Sequence, residues 1–291
     1  MSAIPDANRR TRTDRCPGVL RPWPADDGLL VRLRLIGGRL PPAALARLLE
    51  FSAEFADGRI QLTKRANLQI RGLRGNDGQL APAAVTALRA TELLPSPTHE
   101  LIRNILVSPQ TGHAGGRVDL RPIAERLDVL LCGDPSLAGL PGRFLFTLDD
   151  GRGDLMDRAT DAGLVVISGT EAQLRVGEQW GAVVSIAEAA EQLAGLAGAF
   201  QAARGGGPDA PWHIRELPSP LRPVAAADPR LPAPSGPLPY GPVPGGTHLH
   251  VPDGVLTPQL GRSLLEGPEL VVTPWHGIFI PTDPQRRRQP P

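Results

Sequence analysis

The segment Arg59–Ile70, RIQLTKRANLQI, aligns without a gap on Glu269–Ile280, ELVVTPWHGIFI. Thr63 meets Thr273 and Ile70 meets Ile280, and apolar residues meet at Ile60/Leu270, Leu62/Val272 and Leu68/Ile278. Each copy reads as strand, sharp turn, strand. Upstream of each lies a helical run of the same kind, LPPAALARLL and LTPQLGRSLL. A strand–helix–strand unit used twice in distant parts of one chain predicts one sheet, or one pair of sheets, assembled from both halves about a pseudo-twofold axis. A ligand would lie naturally at such a junction. Chance likeness of two generic strand–turn–strand units is the competing explanation, and the shared helix-then-strand order argues against it.

The copies differ where chemistry would sit. Arg65 opposes Trp275 and Gln69 opposes Phe279, so one half offers cations and the other an aromatic wall. Arg59, Lys64, Arg65 and Arg71 fall within one short stretch, with Asn67 and Gln69 between them. Guanidinium groups bind carboxylates bidentately and amides fill the remaining hydrogen bonds, so this pattern suits a multiply charged anion. A solvated strand face is the plain alternative. Net charge is +1, which gives no case for nucleic acid or an anionic membrane and makes any anion site a local cluster.

Along the chain, LLVRLRL (Leu29–Leu35) alternates as a half-buried strand does, with Arg32 and Arg34 on its exposed face. Pro41-Pro42 opens a helix carrying Leu45, Leu48 and Leu49, and residues 83–94 form a shorter one. A second basic-plus-amide pair is Arg103-Asn104. Val118–Leu131 is helical with a stripe of Leu120, Ile123, Leu127, Leu130 and Leu131. LPGRFLFTLDDG reads as a strand ending in an Asp-Gly turn, Leu155–Ala162 as a helix, and LVVIS with AQLRV as a hairpin. Ser185 and Glu188 form a capping box before the last long helix, whose stripe is Ile186, Leu193, Leu196 and Phe200. Gly205–Pro244, dense in Gly and Pro, reads as a linker whose Trp212 and Tyr240 are costly to leave wet.

Only Cys16 and Cys132 occur, too few for a four-cysteine iron–sulfur or zinc site. Cys132 is expected as a buried structural thiol and Cys16 in a loop role. Among six histidines, His248 and His250 are the ligand-like pair, read as structural because no third ligand follows at metal spacing, while His276 sits in a turn that faces the cleft. The N-terminus has no apolar signal region and no run reaches membrane-spanning length, so the cytoplasm is expected.

Four blocks, CPGVLRPWPADDGLLVRLRLIGG, LTKRANLQIRGL, RNILVSP and LPGRFLFTLDDG, resemble in that order the precorrin-3B synthases of the sulfite and nitrite reductase superfamily. The stretch GPLPYGPVPGGTHLHVPDGVLTPQLGRSLL with LVVTPWHGIFIP resembles their second ferredoxin-like half-domain. The resemblance spans roughly residues 15–281. It implies an α+β fold: two ferredoxin-like half-domains related by a pseudo-twofold, with an inserted α/β nitrite/sulfite-reductase-like domain. The implied division is a disordered tail over 1–14, half-domains over 15–100 and 237–282, the inserted domain over 101–204, a linker over 205–236 and a tail over 283–291. The implied activity is oxygen-dependent oxidation of precorrin-2, or a related reduced tetrapyrrole, in cobalamin biosynthesis.

In the family the basic residue of the L-T-x-R strand and the Arg of R-N-x-L contact tetrapyrrole carboxylates; here these are Arg65 and Arg103. A Lys-x-Lys after Leu-Pro reaches the substrate anion in sulfite reductases. Here the region reads Gly142-Arg143-Phe144-Leu145, so Arg143 stays cationic and the other position is apolar. Lys64, Asn67, Gln69, Arg71 and Asn104 complete the expected substrate-binding set. No catalytic residue or metal ligand is assigned. The family's 4Fe–4S cluster is held by four cysteines in a following domain, for which this sequence has no ligands, and sirohaem is not expected. Three alternatives stay open: a truncated copy, a separate chain supplying the iron–sulfur domain, or a non-catalytic tetrapyrrole binder. A part of a sulfite or nitrite reductase is a further reading.

Overall fold

The computed structural model describes residues 16–207 and 209–282; the tails expected over 1–14 and 283–291 lie outside the described residues. In chain order, β1 (Trp23–Ala25) and β2 (Gly28–Leu33) form a hairpin, followed by β3 (Arg39–Leu40) and α1 (Pro42–Phe55). β4 (Ile60–Leu62) and β5 (Leu68–Leu73) form the next hairpin, then the small hairpin of β6 (Gly75–Asn76) and β7 (Gln79–Leu80) leads to α2 (Pro82–Arg89). β8 (Ile105–Val107), α3 (Arg121–Gly133), β9 (Phe146–Asp149), β10 (Ala162–Val166), β11 (Glu171–Val176), β12 (Gln179–Ser185) and α4 (Ala189–Arg204) follow. The last elements are β13 (Gly241–Val243), β14 (Gly246–His250), β15 (Val255–Leu256), α5 (Pro258–Ser263), β16 (Leu270–Thr273) and β17 (Gly277–Pro281).

Two five-stranded sheets carry the repeat. One runs β1-β2-β5-β4-β15 and the other β13-β14-β17-β16-β3. The strand orders correspond, and each sheet takes its last strand from the other half of the chain. β15 pairs antiparallel with β4 (Val255↔Gln61, Leu256↔Ile60), and β3 pairs with β16 (Leu270↔Leu40, Val271↔Arg39). This is the expected pair of half-domains, interleaved about a pseudo-twofold. The equivalence reaches individual residues: Ala66 and His276, matched in the repeat, both adopt left-handed φ, at 54° and 57°. Such a conformation is costly for residues with a Cβ and marks a turn that the surrounding strands over-determine.

Apolar burial holds the interleaved pair together. Leu33, Leu45, Leu48, Leu68, Ile70, Leu270 and Ile278 are fully buried in one core, into which α1, α2 and α5 pack. Each such side chain contributes on the order of 1.5–3 kcal/mol on leaving water. Arg39 adds a polar tie, its Nε donating to Glu269 Oε2 at 2.6 Å and its Nη1 to Glu125 on α3.

The third sheet runs β12-β11-β10-β9-β8, parallel from β8 to β10 and antiparallel from β10 to β12. α3 and α4 cover it through Ile123, Leu127, Leu131, Leu193, Leu196 and Phe200. Three expectations change here. Leu155–Ala162 is not helical: turns lead into β10 at Ala162. Arg158 N donates to Leu155 O at 3.0 Å in a tight turn, and Asp161 N and Ala162 N donate to Leu145 O at 2.9 and 3.3 Å, so these amides are committed outside a helical ladder. Ser185 does cap, but its Oγ accepts from Ala187 N at 3.2 Å, so a short 3-10 turn precedes α4 and no box forms on Glu188. β12, unforeseen, is a largely exposed edge strand whose Gly181 breaks the alternation that marks strands.

The Gly/Pro-rich stretch after α4 is docked along the third sheet. Asp228 N donates to Gln173 Oε1 at 2.8 Å, Gln173 Nε2 to Ala226 O at 2.8 Å, and Ser235 N to Gly153 O at 2.9 Å. Ile214 is buried within the core of that sheet. No helix among the described residues is long and apolar enough to cross a membrane.

Candidate functional site

The β4–β5 turn is built by Thr63. Its N–H donates to Asn67 O at 2.9 Å, and its Oγ1 accepts from Asn67 N at 3.1 Å and Arg65 N at 3.4 Å. With Ala66 left-handed, the turn presents Lys64 and Arg65 to a cavity of about 300 Å³. Arg158, Asp161, His213 and Arg215 share that cavity, and Leu106 and Leu145 give it apolar wall. Arg158 reaches both repeats: its Nη1 lies 3.5 Å from Lys64 O and its Nη2 3.4 Å from Pro274 O, with the guanidinium 5.8 Å from the centre of the Trp275 ring.

A second group of cations adjoins this turn. Burial lowers the pKa of Arg32, and the nearby charges of Arg65 and Arg143 lower it further, while Cys16 opposes them. Arg34 is only 2% exposed. Burial pulls its pKa down to about 10, with Arg32 and Arg65 pulling the same way and Cys16 and Glu100 resisting. Arg34 Nη1 donates to Pro17 O at 3.2 Å and more weakly to Arg32 O at 3.4 Å. Its Nε and Nη2, and Arg32 Nε, are buried without an acceptor among the described residues. Arg32 Nη2 donates to Gln69 Oε1 at 3.0 Å. Arg143 lies over the Trp212 ring, 4.8 Å from its centre. Arg32, Arg34, Arg65 and Arg143 thus form one cationic cluster in which mutual repulsion and desolvation both favour an incoming anion.

The expected residues divide accordingly. Lys64 and Arg65 line the cavity, Arg143 belongs to the cluster, and Gln69 orients Arg32 while its Nε2 donates to Gln61 Oε1 at 2.9 Å. Asn67 and Asn104 meet each other instead of a ligand: Asn67 Nδ2 donates to Asn104 Oδ1 at 3.2 Å, Asn67 Oδ1 accepts from Leu35 N at 2.9 Å, and Asn104 Nδ2 donates to Gly142 O at 2.9 Å. These amides tie the first half to the third sheet. Arg71 pairs with Asp27 at an exposed sheet end, Nε to Oδ2 at 3.1 Å. Arg103 departs most from expectation. It is buried and donates bidentately to Asp128 on α3, at 2.6 and 2.8 Å, and to Leu93 O at 3.2 Å. A carboxylate of the protein already occupies its fork, so its place is structural.

Arg32 and Arg34, expected on the exposed face of their strand, are instead turned toward the cluster. The signal was present, since a strand next to the cassette alternates cations with apolar residues. Arg158, Asp161, His213 and Arg215 come from irregular segments whose pattern carries no such sign.

The pseudo-twofold explains the other half. Arg32 pairs with Gln69 in one sheet as His248 pairs with Phe279 in the other. His248 is buried, its Nδ1 donating to Leu238 O at 3.0 Å and its Nε2 lying 2.9 Å from Thr273 Oγ1, so both ring nitrogens are engaged. Tyr240 stacks on His248 and His250, with centroids 4.8 and 4.4 Å apart. His276 packs beside Gly254 on the second turn and is not among the residues that line the cationic cavity. Cys132 is half-buried, with burial and Asp128 raising its pKa, and Cys16 is buried. The described residues contain no group of three or more His, Cys, Asp or Glu able to hold a metal ion. The two cysteines of the sequence, Cys16 and Cys132, are fewer than the four that a cysteine-ligated iron–sulfur cluster needs.

Comparison with known proteins agrees with this architecture. Residues 24–79 match the nitrite/sulfite reductase ferredoxin-like half domain. A 62-residue stretch is 39% identical to a precorrin-3B synthase of Sinorhizobium sp., covering 21% of this chain and 14% of that protein. The structure of the Mycobacterium tuberculosis NirA protein superposes with a TM-score of 0.60 at 17% identity, covering 94% of this chain and 60% of that one. The chain thus spans less than two thirds of the length of these relatives. Residues 24–79 thus match a nitrite/sulfite reductase ferredoxin-like half domain, and the chain as a whole shares the fold of the NirA protein.

Proposed function

We propose that this chain is the tetrapyrrole-binding part of a precorrin-3B synthase-like oxidoreductase of cobalamin biosynthesis, working in the cytoplasm on a reduced polycarboxylate tetrapyrrole. The observation that carries this reading is Arg34: a guanidinium 2% exposed whose Nε and Nη2 have no acceptor among the described residues. Leaving charged donors unpaired in the interior costs several kcal/mol, and Arg65, whose charge acts on Arg34, lines the cavity in which a carboxylate would lower that cost. The charges of Arg32 and Arg65 act on it, and that of Arg143 acts on Arg32, so the complementary ligand bears several carboxylates, as precorrins do. Leu106 and Leu145 offer apolar surface to a macrocycle. The residues of this chain bind and orient; any iron–sulfur chemistry used with them is supplied by cysteines outside this sequence, for which a separate chain is one source.

Uroporphyrin, a stable fluorescent octacarboxylate, tests the reading. The protein is expected to bind it in a salt-sensitive manner, and Arg65→Ala is expected to raise Kd about tenfold, the worth of one charge-assisted hydrogen bond. An unchanged Kd in Arg65→Ala, or no binding by the parent protein, contradicts it.

A further inference from the structure

His213 stands apart from the arginines in kind. It lies on the segment after α4, and its imidazole is positioned from below by a buried carboxylate. Asp161 accepts from Leu145 N at 2.9 Å, from Ile214 N at 2.9 Å and from His213 Nδ1 at 3.1 Å. The carboxylate is an acceptor, so Nδ1 carries the hydrogen and Nε2 is the nitrogen left for other partners. The imidazole side chain is 20% exposed and borders the cationic cavity. Its neighbour Trp212 lies under Arg143, which joins this segment to the cluster.

We infer that His213, held by Asp161, is the titratable contact of this cavity: its Nε2 takes a proton from solvent and donates it in a hydrogen bond to a carboxylate of the bound ligand. The inference rests on the polycarboxylate reading above and adds to it that binding is coupled to proton uptake. The proton adds to a neutral ring, no other bond changes, and the charge gained offsets one carboxylate.

The charges that face the ring are identifiable. From the β4–β5 turn come Lys64 and Arg65, from the loop before β10 Arg158 and Asp161, and from its own segment Arg215. Glu216 is turned to the main chain, its Oε2 accepting from Trp212 N at 2.7 Å and His213 N at 3.3 Å. Lys64 and the arginines place positive charge about the ring, and Asp161 places negative charge there. An arriving carboxylate tips that balance. One other group titrates nearby: burial and Asp149 push Asp154 up to about 7, and its charge acts on Arg158. Asp154→Asn is therefore the control.

The test is calorimetric binding of uroporphyrin near neutral pH in buffers of different ionisation enthalpy, which reads protons taken up per ligand bound. The wild-type protein and Asp154→Asn are expected to take up protons, and His213→Gln to lose most of that uptake while its Kd rises several-fold. As a check that needs no variant, the imidazole titration of His213 followed by NMR is expected to move to higher pH on ligand binding. Uptake undiminished in His213→Gln, or an imidazole titration that the ligand leaves unmoved, overturns the inference even where Arg65→Ala weakens binding. Uptake abolished by Asp154→Asn assigns the proton to Asp154 and overturns it too. If Arg65→Ala also leaves Kd unchanged, the polycarboxylate reading falls as well.

Discussion

Arg34 and Arg103 show how the same side chain takes two roles. Arg103 meets Asp128 through both arms of its fork, at side-chain exposures of 6% and 17%, so the pair neutralises itself inside the protein. Arg34 hydrogen-bonds only through Nη1, to main-chain carbonyls, which leaves its charge uncompensated by those bonds. Removing one partner of a buried ion pair leaves the other unpaired, at a cost of about 3–5 kcal/mol. Arg103→Ala is therefore expected to lower the urea midpoint markedly, with the folded fraction keeping its ligand affinity. Replacing both Arg103 and Asp128 by leucine is expected to restore most of the stability. An Arg103→Ala protein of normal stability but tenfold weaker binding would return Arg103 to the site.

At the scale of elements, the exchanged strands carry the argument. β3 reaches β16 only because Gly38, at φ 75°, lets the backbones close: a Cβ there would lie 2.2 Å from Val272 O. Gly38→Ala is expected to cost about 1–3 kcal/mol from backbone strain alone, with further loss from the displaced carbonyl. Hydrogen exchange is expected to quicken first along β16; uniform protection there would show that the exchange of strands tolerates a wider gap. The repeat made this pairing legible because strand hairpins are local and their apolar alternation survives in the letters. Leu155–Ala162 was illegible for the opposite reason: its helical spacing is real, but the amides of Asp161 and Ala162 donate to Leu145 O, a partner far away in the sequence. The site was half legible. Lys64, Arg65 and Arg143 sit on recognisable motifs, while Arg34 needed the knowledge of which strand face is covered, and His213 needed the docking of a Pro-rich segment that periodicity does not describe.

For the whole molecule, two interleaved sheets and a third sheet meet at one cationic cavity. Arg65 comes from the first half, Arg158 and Asp161 from the loop between β9 and β10, and His213 and Arg215 from the segment that leads to the second half. Such a site forms only when segments distant in the sequence, from Lys64 to Arg215, have folded together. The aromatic half, with Tyr240 stacked on His248 and His250, lacks the cations and is expected to bind no polycarboxylate itself. The central claim is that convergent guanidinium groups recognise the number of carboxylates on a macrocycle. The most direct measurement compares the Kd of the protein for uroporphyrin with that for coproporphyrin, the tetracarboxylate with the same ring. Binding of the octacarboxylate at least about tenfold tighter, narrowing in Arg65→Ala, is the predicted result; equal affinity for the two porphyrins would contradict the claim.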